Sequence, residues 1–382
     1  MAWTAFDSAA MRRSLELAGR GAGHVEPNPL VGAVIAQGEA IVGEGWHARY
    51  GGPHAEVAAL LAAGGTARGA TLYVTLEPCC HHGKTPPCSD AIIAAGIARV
   101  VVAAGDPFAA VAGGGLRALR AAGLSVEIGL CESESLRLTA PYRKLVTEGR
   151  PWVIGKWAMT LDGRVATTEG DSRWISSETS RALVHELRGR VDAIVVGIGT
   201  VLADDPLLTP RPPGPRQPLR VVLDRSARLP LESGLVRSAA EVPLLVATGP
   251  EVPLERVRRL EAAGCEVWSS SDQDPGGRFL ELLAELGRRR FTNLLVEGGP
   301  TVLGSLLDCD AIDEVWAFVA PKVIGGAAAL GPVAGRGIAA IADAVAIDVE
   351  QVDHPGGDLL VRGLIKRSRG PVSRPRVGPP RS

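Results

Sequence analysis

The sequence predicts an α/β fold with two consecutive domains, on three observations. Its 382 residues are enough for about two or three domains with separate hydrophobic cores. Short runs rich in β-branched residues alternate with Ala- and Leu-rich stretches of helical periodicity, which is typical of an α/β fold with a mainly parallel sheet. A charged helical stretch at 132–151 separates two such series, so we place the domain boundary near residue 149.

The predicted strands fall into two groups. In the first domain, residues 1–148, they are LVGAVIA (30–36), ATLYVTL (70–76) and RVVVAAG (99–105). In the second, residues 149–366, they are WVIGKWAM (152–159), DAIVVGIG (192–199), LRVVLD (219–224), VPLLVA (242–247), NLLVEGG (293–299) and EVWAFVA (314–320). Strand-like sequence resumes directly after the Pro-rich stretch at 209–218, which predicts a loop inside the second domain. The basic, Pro-containing tail at 367–382 has no acidic residue, and its composition predicts disorder.

The charge balance argues against a polyanionic partner. The chain has 41 Lys and Arg residues against 42 Asp and Glu residues, so no global field attracts nucleic acid or an anionic membrane. No apolar run approaches the roughly 18 residues that a membrane span requires, and the first residues lack the apolar stretch of a secretion signal. We therefore expect a cytoplasmic protein that binds a small molecule, without a membrane or nucleic-acid partner.

The cysteines indicate a metal site rather than disulfides. Six are too few for a disulfide scaffold, and the reducing cytosol does not favour one. Three are scattered and are expected to be ordinary buried thiols: Cys131, Cys265 and Cys309. The other three lie within ten residues, in LEPCCHHGKTPPC (76–88).

A histidine and a glutamate upstream complete a candidate catalytic zinc site. His54, with the thiolates of Cys79 and Cys88, would give three protein ligands and leave one tetrahedral position open. Zinc lowers the pKa of bound water from about 15.7 toward 7, which provides a hydroxide nucleophile at neutral pH. Glu56, at the start of the apolar helix in HAEVAALLAAGG (54–65), can take the proton of that water and deliver it to a leaving amine.

Two other interpretations of these residues stay open from the sequence alone. His54 and Glu56 could cap a helix while the cysteines are spectators. Alternatively, Cys80 could be the fourth ligand of a structural zinc. Adjacent residues seldom point at one ion, however, and Glu56 would then have no task.

At this point the sequence resembles the cytidine-deaminase-like zinc deaminases, and among them the pyrimidine deaminases of the riboflavin pathway. General members have two residues between their cysteines, whereas eight residues, CHHGKTPP, stand between Cys79 and Cys88 here, as in the riboflavin enzymes. NPLVGAVI (28–35), GEGWHARYGGPHAE (43–56) and AAGDPFAAVAGGG (103–115) also match, although Phe108-Ala109 replaces the usual Asn-Pro. The resemblance implies a three-layer α/β/α domain whose substrate contacts are Asn28, His47, His81, Lys84 and Asp106.

The second half carries weaker signals for nucleotide binding. NLLVEGGPTVLGSLL (293–307) predicts a strand, a Glu-Gly-Gly turn and a helix whose free backbone N–H groups could bind a phosphate. A tight connection between a strand and a helix is the alternative. DAIVVGIGTVLADDP (192–206) predicts a buried strand followed by a Gly-containing loop. Arg188 and Arg211 supply planar cations suited to phosphate.

Together these segments resemble the dihydrofolate-reductase-like half of the same riboflavin-pathway family, which uses NADPH. By that resemblance the NADPH site would comprise Ala158, Trp174, Thr200, Asp204, Gly299, Pro300, Thr301, Val302, Leu303, Gly304 and Ser305. The substrate contacts would be Ser172, Arg188, Leu208, Arg211 and Glu297. Arg225 follows Asp224 where the family more often has serine, and we hypothesise that it helps to select NADPH by its extra phosphate.

The two resemblances together imply a bifunctional enzyme with a cytidine-deaminase-like α/β/α domain followed by a dihydrofolate-reductase-like α/β domain. They also imply that zinc-dependent deamination of 2,5-diamino-6-ribosylaminopyrimidinone 5′-phosphate precedes NADPH-dependent reduction of the ribosyl group to ribityl. No acid or base for the second step is evident from the sequence. A nucleic-acid-editing deaminase is disfavoured by the near-zero net charge and the aromatic content of 4%. A non-catalytic zinc module is the second alternative function, and a homo-oligomer is the expected assembly.

Overall fold

A five-stranded mixed sheet forms the centre of the N-terminal region. In the computed structural model, which describes residues 3–81 and 86–366, its strands are β1 (Gly32–Gln37), β2 (Ala40–Trp46), β3 (Thr71–Leu76), β4 (Arg99–Ala104) and β5 (Ser125–Ile128). Their order is β2-β1-β3-β4-β5, with β3, β4 and β5 parallel and β1 antiparallel to both neighbours. β2 is absent from the predicted strands, and β1 is the antiparallel exception in a sheet predicted to be mainly parallel. Gly38, with a φ of +60°, makes the tight turn that folds β2 back onto β1.

Helices cover both faces of this sheet. They are α1 (Ala5–Gly19), α2 (Ala55–Ala63), α3 (Cys88–Ala94), α4 (Gly114–Ala121), α5 (Glu132–Leu138) and α6 (Ala140–Glu148). On one face Met11 and Leu17 of α1 pack in a core cluster with Tyr73 of β3. On the other face α2, α3 and α4 contribute to a second cluster around Leu72. The predicted three-layer α/β/α arrangement is confirmed. The single charged helix predicted at 132–151 is two helices, α5 and α6.

A nine-stranded sheet forms the centre of the C-terminal region. Its strands are β6 (Trp152–Thr160), β7 (Ala193–Gly197), β8 (Leu219–Leu223), β9 (Leu244–Thr248), β10 (Glu266–Ser269), β11 (Asn293–Val296), β12 (Glu314–Ala320), β13 (Ile347–Asp353) and β14 (Leu359–Ile365). Their order is β10-β9-β8-β7-β11-β6-β12-β14-β13. The first seven strands in this order, from β10 at the edge to β12, are parallel to one another. β14 is antiparallel to both of its neighbours, β12 and β13. The six predicted strands are present, and the stretch at 209–218 is a loop as predicted.

Two helical layers enclose the nine-stranded sheet. The helices are α7 (Glu178–Arg188), α8 (Ile198–Asp204), α9 (Gly234–Arg237), α10 (Leu254–Ala262), α11 (Pro275–Arg288) and α12 (Pro300–Asp308). α11 and α12 contribute to one core cluster, and α8, α9 and α10 contribute to the other. The carboxyl ends of parallel strands meet at one edge of a sheet, where ligands of open α/β sheets commonly bind. None of the helices described is long and apolar enough to cross a membrane.

The two regions meet through charged and close-packed contacts. α6 ends at Gly149, whose φ of +67° is the left-handed conformation common after a helix. Lys144 of α6 donates from Nζ to Oδ2 of Asp313 at 2.5 Å, and both side chains are buried. A Cβ on Gly287, near the end of α11, would overlap the carbonyl group of Gly149. The end of α11 therefore packs directly against the junction, and the domain boundary near residue 149 stays a prediction.

The scattered cysteines follow the expectation only in part. Cys265 is buried, whereas Cys131 and Cys309 are half-buried. The predicted disordered tail at 367–382 lies outside the described residues.

Candidate active sites

Three predicted metal ligands converge in the N-terminal region. His54 is the N-cap of α2, Cys79 follows β3, and Cys88 is the first residue of α3. Nδ1 of His54 lies 3.2 Å from Sγ of Cys88 and 3.5 Å from Sγ of Cys79. Zinc bond lengths of about 2.0–2.3 Å in a tetrahedron keep ligand atoms roughly 3.5 Å apart. The spacing and the donor types therefore fit a zinc ion with one position left for a small molecule.

Small residues hold α2 in place against the sheet. A Cβ on Gly45 of β2 would overlap the backbone of Ala55 and Ala59 in α2. The first turn of α2 thus lies directly on the strand, because glycine allows this close approach. This packing positions His54, the N-cap of α2, and Glu56, which lies in the first turn.

The electrostatics of the cluster favour a thiolate beside a carboxyl group that titrates near neutrality. A hydrogen bond from the Cys88 thiol, supported by one from His54, lowers the pKa of Cys79. The Cys79 sulfur in turn raises the pKa of Cys88, and burial acts in the same direction. Burial raises the pKa of Glu56 to about 7. Thiolate is the form that binds metals, and a group with a pKa near 7 is suited to proton transfer.

A cavity of about 290 Å³ opens onto the cluster, and two predicted substrate contacts form a chain along its wall. Nδ2 of Asn28 lies 3.1 Å from Nε2 of His47, and Nδ1 of His47 lies 2.9 Å from the carbonyl oxygen of Pro53. The His47 ring also meets the His54 ring edge-on at 5.4 Å. Burial lowers the pKa of His47, which favours the neutral imidazole. Asn28 is therefore held with its amide at the cavity wall.

Another part of the cavity wall is the loop after β4, which the buried Glu77 holds by hydrogen bonds. The Glu77 carboxylate accepts hydrogen bonds from the backbone N–H groups of Gly113 and Gly115 at 3.0 Å and of Leu116 at 3.2 Å. Within the loop, Oδ1 of Asp106 accepts from the backbone N–H of Phe108 at 2.9 Å. Glu77 lies two residues before the ligand Cys79, so it ties this loop to the metal site.

The remaining predicted contacts in this half have different outcomes. His81 lines the cavity, and its ring lies 5.9 Å from that of Phe108. Its Nδ1 is buried and makes no hydrogen bond to a residue in 3–81 or 86–366. The predicted contact Lys84 lies outside the described residues.

A largely buried ionic cluster lies beside the carboxyl end of β11 in the second sheet. Glu297 follows β11, and both of its carboxylate oxygens accept from Arg188, at 2.6 and 2.9 Å. Nζ of Lys156, on β6, lies 3.9 Å from Oε2 of Glu297. Burial lowers the pKa of Lys156. Burial acts to raise the pKa of Glu297, but Arg188 and Lys156 outweigh it, so the pKa is lowered and the carboxylate is ionised.

The start of α12 packs closely against the end of β7. Gly299 is the N-cap of α12, and a Cβ there would lie 3.5 Å from Oγ1 of Thr200. A Cβ on Gly197 would lie 2.8 Å from Cγ2 of Val302, tighter than real contacts allow. Two helix starts, those of α8 and α12, are thereby brought together. They carry these predicted cofactor residues: Thr200, Gly299, Pro300, Thr301, Val302, Leu303, Gly304 and Ser305.

The other predicted cofactor residues lie on separate segments. Trp174 is exposed, and the Arg181 guanidinium lies 4.6 Å from its ring centre. Asp204, the last residue of α8, forms an ion pair of 3.4 Å with Arg173. Ala158 lies on β6 and packs beside a small apolar cluster.

The other predicted substrate contacts are more scattered. Leu208 is buried with a φ of +54°, whereas Arg211 is exposed. Burial lowers the pKa of His185, and the charges of Arg188 and Arg211 add to this effect. Ser172 lies half-buried in an irregular segment. Arg225 follows the end of β8 and contacts Gly249 beyond β9.

Comparison with known proteins relates both halves to one family. Residues 4–104 match the family described as the cytidine and deoxycytidylate deaminase zinc-binding region. Residues 151–361 match the RibD C-terminal domain. The riboflavin biosynthesis protein RibD of Aquifex aeolicus is 42% identical, over 93% of this chain and 97% of that protein. The chain belongs to the RibD family.

Solved structures agree over the same length. A diaminohydroxyphosphoribosylaminopyrimidine deaminase/5-amino-6-(5-phosphoribosylamino)uracil reductase from Thermotoga maritima is 37% identical with a TM-score of 0.82, covering 94% of this chain and 99% of that chain. Acinetobacter baumannii RibD, form 1, is 35% identical with the same TM-score of 0.82, covering 95% and 99%. RibD relatives join a zinc-dependent deaminase to an NADPH-dependent reductase, and this chain has both domains.

The RibD fold brings in residues that the sequence analysis missed. Lys156 is one, because WVIGKWAM was interpreted only as a strand. A single lysine among the apolar residues of a strand does not indicate that its charge lies beside Glu297. Tyr142 is another, since it donates from its hydroxyl to Asp106 at 3.0 Å from a helix that was expected only to end the domain. Both contacts join segments that are far apart in the sequence.

Proposed function

We propose that the chain catalyses two consecutive steps of riboflavin biosynthesis on a phosphorylated pyrimidine. The first is deamination of 2,5-diamino-6-ribosylaminopyrimidinone 5′-phosphate, and the second is reduction of the ribosyl group of the product to ribityl. The observation that carries the proposal is the presence, in one chain, of a three-ligand metal cluster beside a buried carboxyl group and of a separate ionic cluster at strand ends. The cytoplasmic location and a homo-oligomeric state stay predictions.

In the deaminase site the chain would hold zinc with His54, Cys79 and Cys88. When bound, zinc lowers the pKa of a water ligand and so supplies a nucleophile at neutral pH. The Glu56 carboxylate holds the proton at one of its oxygens and passes it to the leaving amine, a transfer that its pKa of about 7 favours. Asn28, held by neutral His47, orients the ring through its amide.

In the reductase site the cofactor carries the hydride, and the protein supplies position and protons. The free backbone N–H groups at the start of α12 would hold a phosphate of NADPH, with Thr200 beside them. Lys156 is placed to give a proton to a sugar oxygen, because burial lowers the pKa of its ammonium group. Glu297, fixed by the two-pronged contact with Arg188, orients the sugar hydroxyls.

One preparation tests both assignments. The purified protein is analysed for zinc, and ammonia release and NADPH oxidation are then followed with the diaminopyrimidinone phosphate as substrate. We expect about one zinc per chain, ammonia release before NADPH oxidation, and loss of ammonia release alone after chelation. Feeding the deaminated pyrimidine to the chelated protein should restore NADPH oxidation.

The same assay separates the alternatives. Deamination of single-stranded DNA or transfer RNA that persists in a chain truncated after residue 366 would support an editing deaminase instead. Zinc without ammonia release or NADPH oxidation would support a non-catalytic zinc module.

A further inference from the structure

A residue of the reductase region reaches the deaminase cavity. α11 ends at Arg288, and its close packing against Gly149 brings the following turn to the domain junction. In this turn Arg290 has a φ of +64°, a left-handed conformation that reverses the chain. Arg290 lines the 290 Å³ cavity together with Tyr142 and Val146 of α6. This cavity is therefore shared between the two regions.

The charge of Arg290 is unusual among the residues around that cavity. Among the described residues that line it, no other is a lysine or an arginine, whereas Glu56, Glu77 and Asp106 are acidic. Burial raises the pKa of the Tyr142 hydroxyl, Asp106 acts in the same direction, and Arg143 and Arg290 act against them. The positive charge of Arg290 is thus felt at the hydroxyl group on the cavity wall.

The neighbouring arginines show that this charge is available. Arg288 pairs with Glu285, and Arg289 pairs with both Glu285 and Glu266, at 2.7 and 2.5 Å. Arg290 makes no side-chain hydrogen bond or ion pair to a residue within the ranges 3–81 and 86–366. Of three consecutive arginines, the one that faces the cavity is the one without a carboxylate partner.

We propose that Arg290 binds the 5′-phosphate of the deaminase substrate, so that the reductase domain completes the deaminase site. The proposal rests on the proposed function, which gives the substrate a phosphate. A phosphate group is a divalent anion near neutral pH, and a guanidinium binds two of its oxygens at once. With the pyrimidine ring at the metal cluster, the ribose phosphate would extend along the cavity, whose lining includes the exposed Arg290.

The test compares two substrates and three variants. The substrates are the diaminopyrimidinone ribosyl phosphate and the same compound without its phosphate. The variants are Arg290→Gln, the charge-retaining Arg290→Lys and the matched control Arg288→Gln. Zinc content and NADPH oxidation with the deaminated substrate report whether each variant is folded.

Arg290→Gln should raise the deaminase KM for the phosphorylated substrate by about tenfold and leave its kcat unchanged, because a hydrogen bond to a charged group is lost. With the dephosphorylated substrate the wild type and Arg290→Gln should have the same KM. Arg290→Lys should recover most of the loss, and Arg288→Gln should behave as the wild type. Inorganic phosphate should compete with the phosphorylated substrate in the wild type and more weakly in Arg290→Gln.

Two results would overturn the proposal. One is an unchanged KM for the phosphorylated substrate in Arg290→Gln, and the other is an equal rise with both substrates, which would indicate a structural role. Neither affects the proposed function, which fails only if the wild type releases no ammonia from the phosphorylated compound.

Discussion

The two active sites differ in how the sequence encodes them. All three metal ligands and Glu56 come from two short segments at 54–56 and 79–88, and His54 of the first segment contacts Cys79 and Cys88 of the second. The second site gathers Lys156 from β6, Arg188 from the end of α7 and Glu297 from the residue after β11. A site defined by metal-binding side chains can be found by its spacing. A site defined by the topology of a sheet becomes visible only when the strand ends meet.

The largest effect should follow from Glu56→Gln, which would separate the two activities. Removing the proton carrier should lower ammonia release by about 10³-fold, since general acid–base catalysis contributes 10²–10⁴-fold. Zinc should be retained, because the ligand atoms belong to His54, Cys79 and Cys88. NADPH oxidation with the deaminated substrate should be unchanged. Loss of zinc in this variant would make Glu56 a ligand and contradict the assignment.

A smaller but still large effect should follow from breaking the buried pair in the second site. Glu297→Met leaves Arg188 and Lys156 without their carboxylate partner and should lower the free energy of unfolding by about 3 kcal/mol, whereas Arg188→Met leaves Lys156 beside Glu297 and should cost less. The double variant should lose less than the sum of the two single variants, because either single change already removes the contact between the two side chains. Denaturant unfolding of the four proteins measures this cycle. Additive losses would show that the two side chains do not interact.

The same pair predicts a change in pH dependence. The wild-type pKa of Glu297 is lowered by Arg188 and Lys156 against the effect of burial, so its ionised form contributes stability above its ordinary pKa. That contribution is lost as the pH falls through the lowered pKa. In Arg188→Met the pKa of Glu297 should rise. Arg188→Met should therefore begin to lose stability at a higher pH than the wild type as the solution is acidified. Denaturant midpoints measured across the acid pH range test this.

These contrasts show what could be predicted from the sequence and why the rest could not. The alternation of strands and helices, and the Cys-rich segment after β3, depend on local periodicity and ligand chemistry. Lys156 and Arg290 could not be found in this way, because a lysine within an apolar strand and the last arginine of RRR both look ordinary. Their environments are created by the pairing of β6 with β11 and by the packing of Gly287 on Gly149.

Glu77→Gln should affect the first site indirectly and by less. The neutral amide is a weaker acceptor for the backbone N–H groups that Glu77 now holds, which should cost about 2 kcal/mol of stability. The loop that carries Asp106 should loosen, so the deaminase KM should rise while NADPH oxidation is unchanged. Glu39→Gln, at an exposed glutamate in the turn after β1, is the control. Equal effects of the two changes on the deaminase KM would contradict the tethering role.

The smallest effect on stability and zinc content should come from Cys80→Ser, although the neighbouring change Cys79→Ser should remove a zinc ligand. Cys80 is adjacent to a ligand, but its Sγ points to the carbonyl oxygen of Ala110 at 3.8 Å and lies outside the group formed by His54, Cys79 and Cys88. Serine is similar in size and can keep that weak contact, so stability should change by no more than about 0.5 kcal/mol. Zinc analysis should give the wild-type content for Cys80→Ser and a strong loss for Cys79→Ser. Loss of zinc in both variants would mean that Cys80 closes the fourth position, which would leave no coordination site for the water on which Glu56 acts.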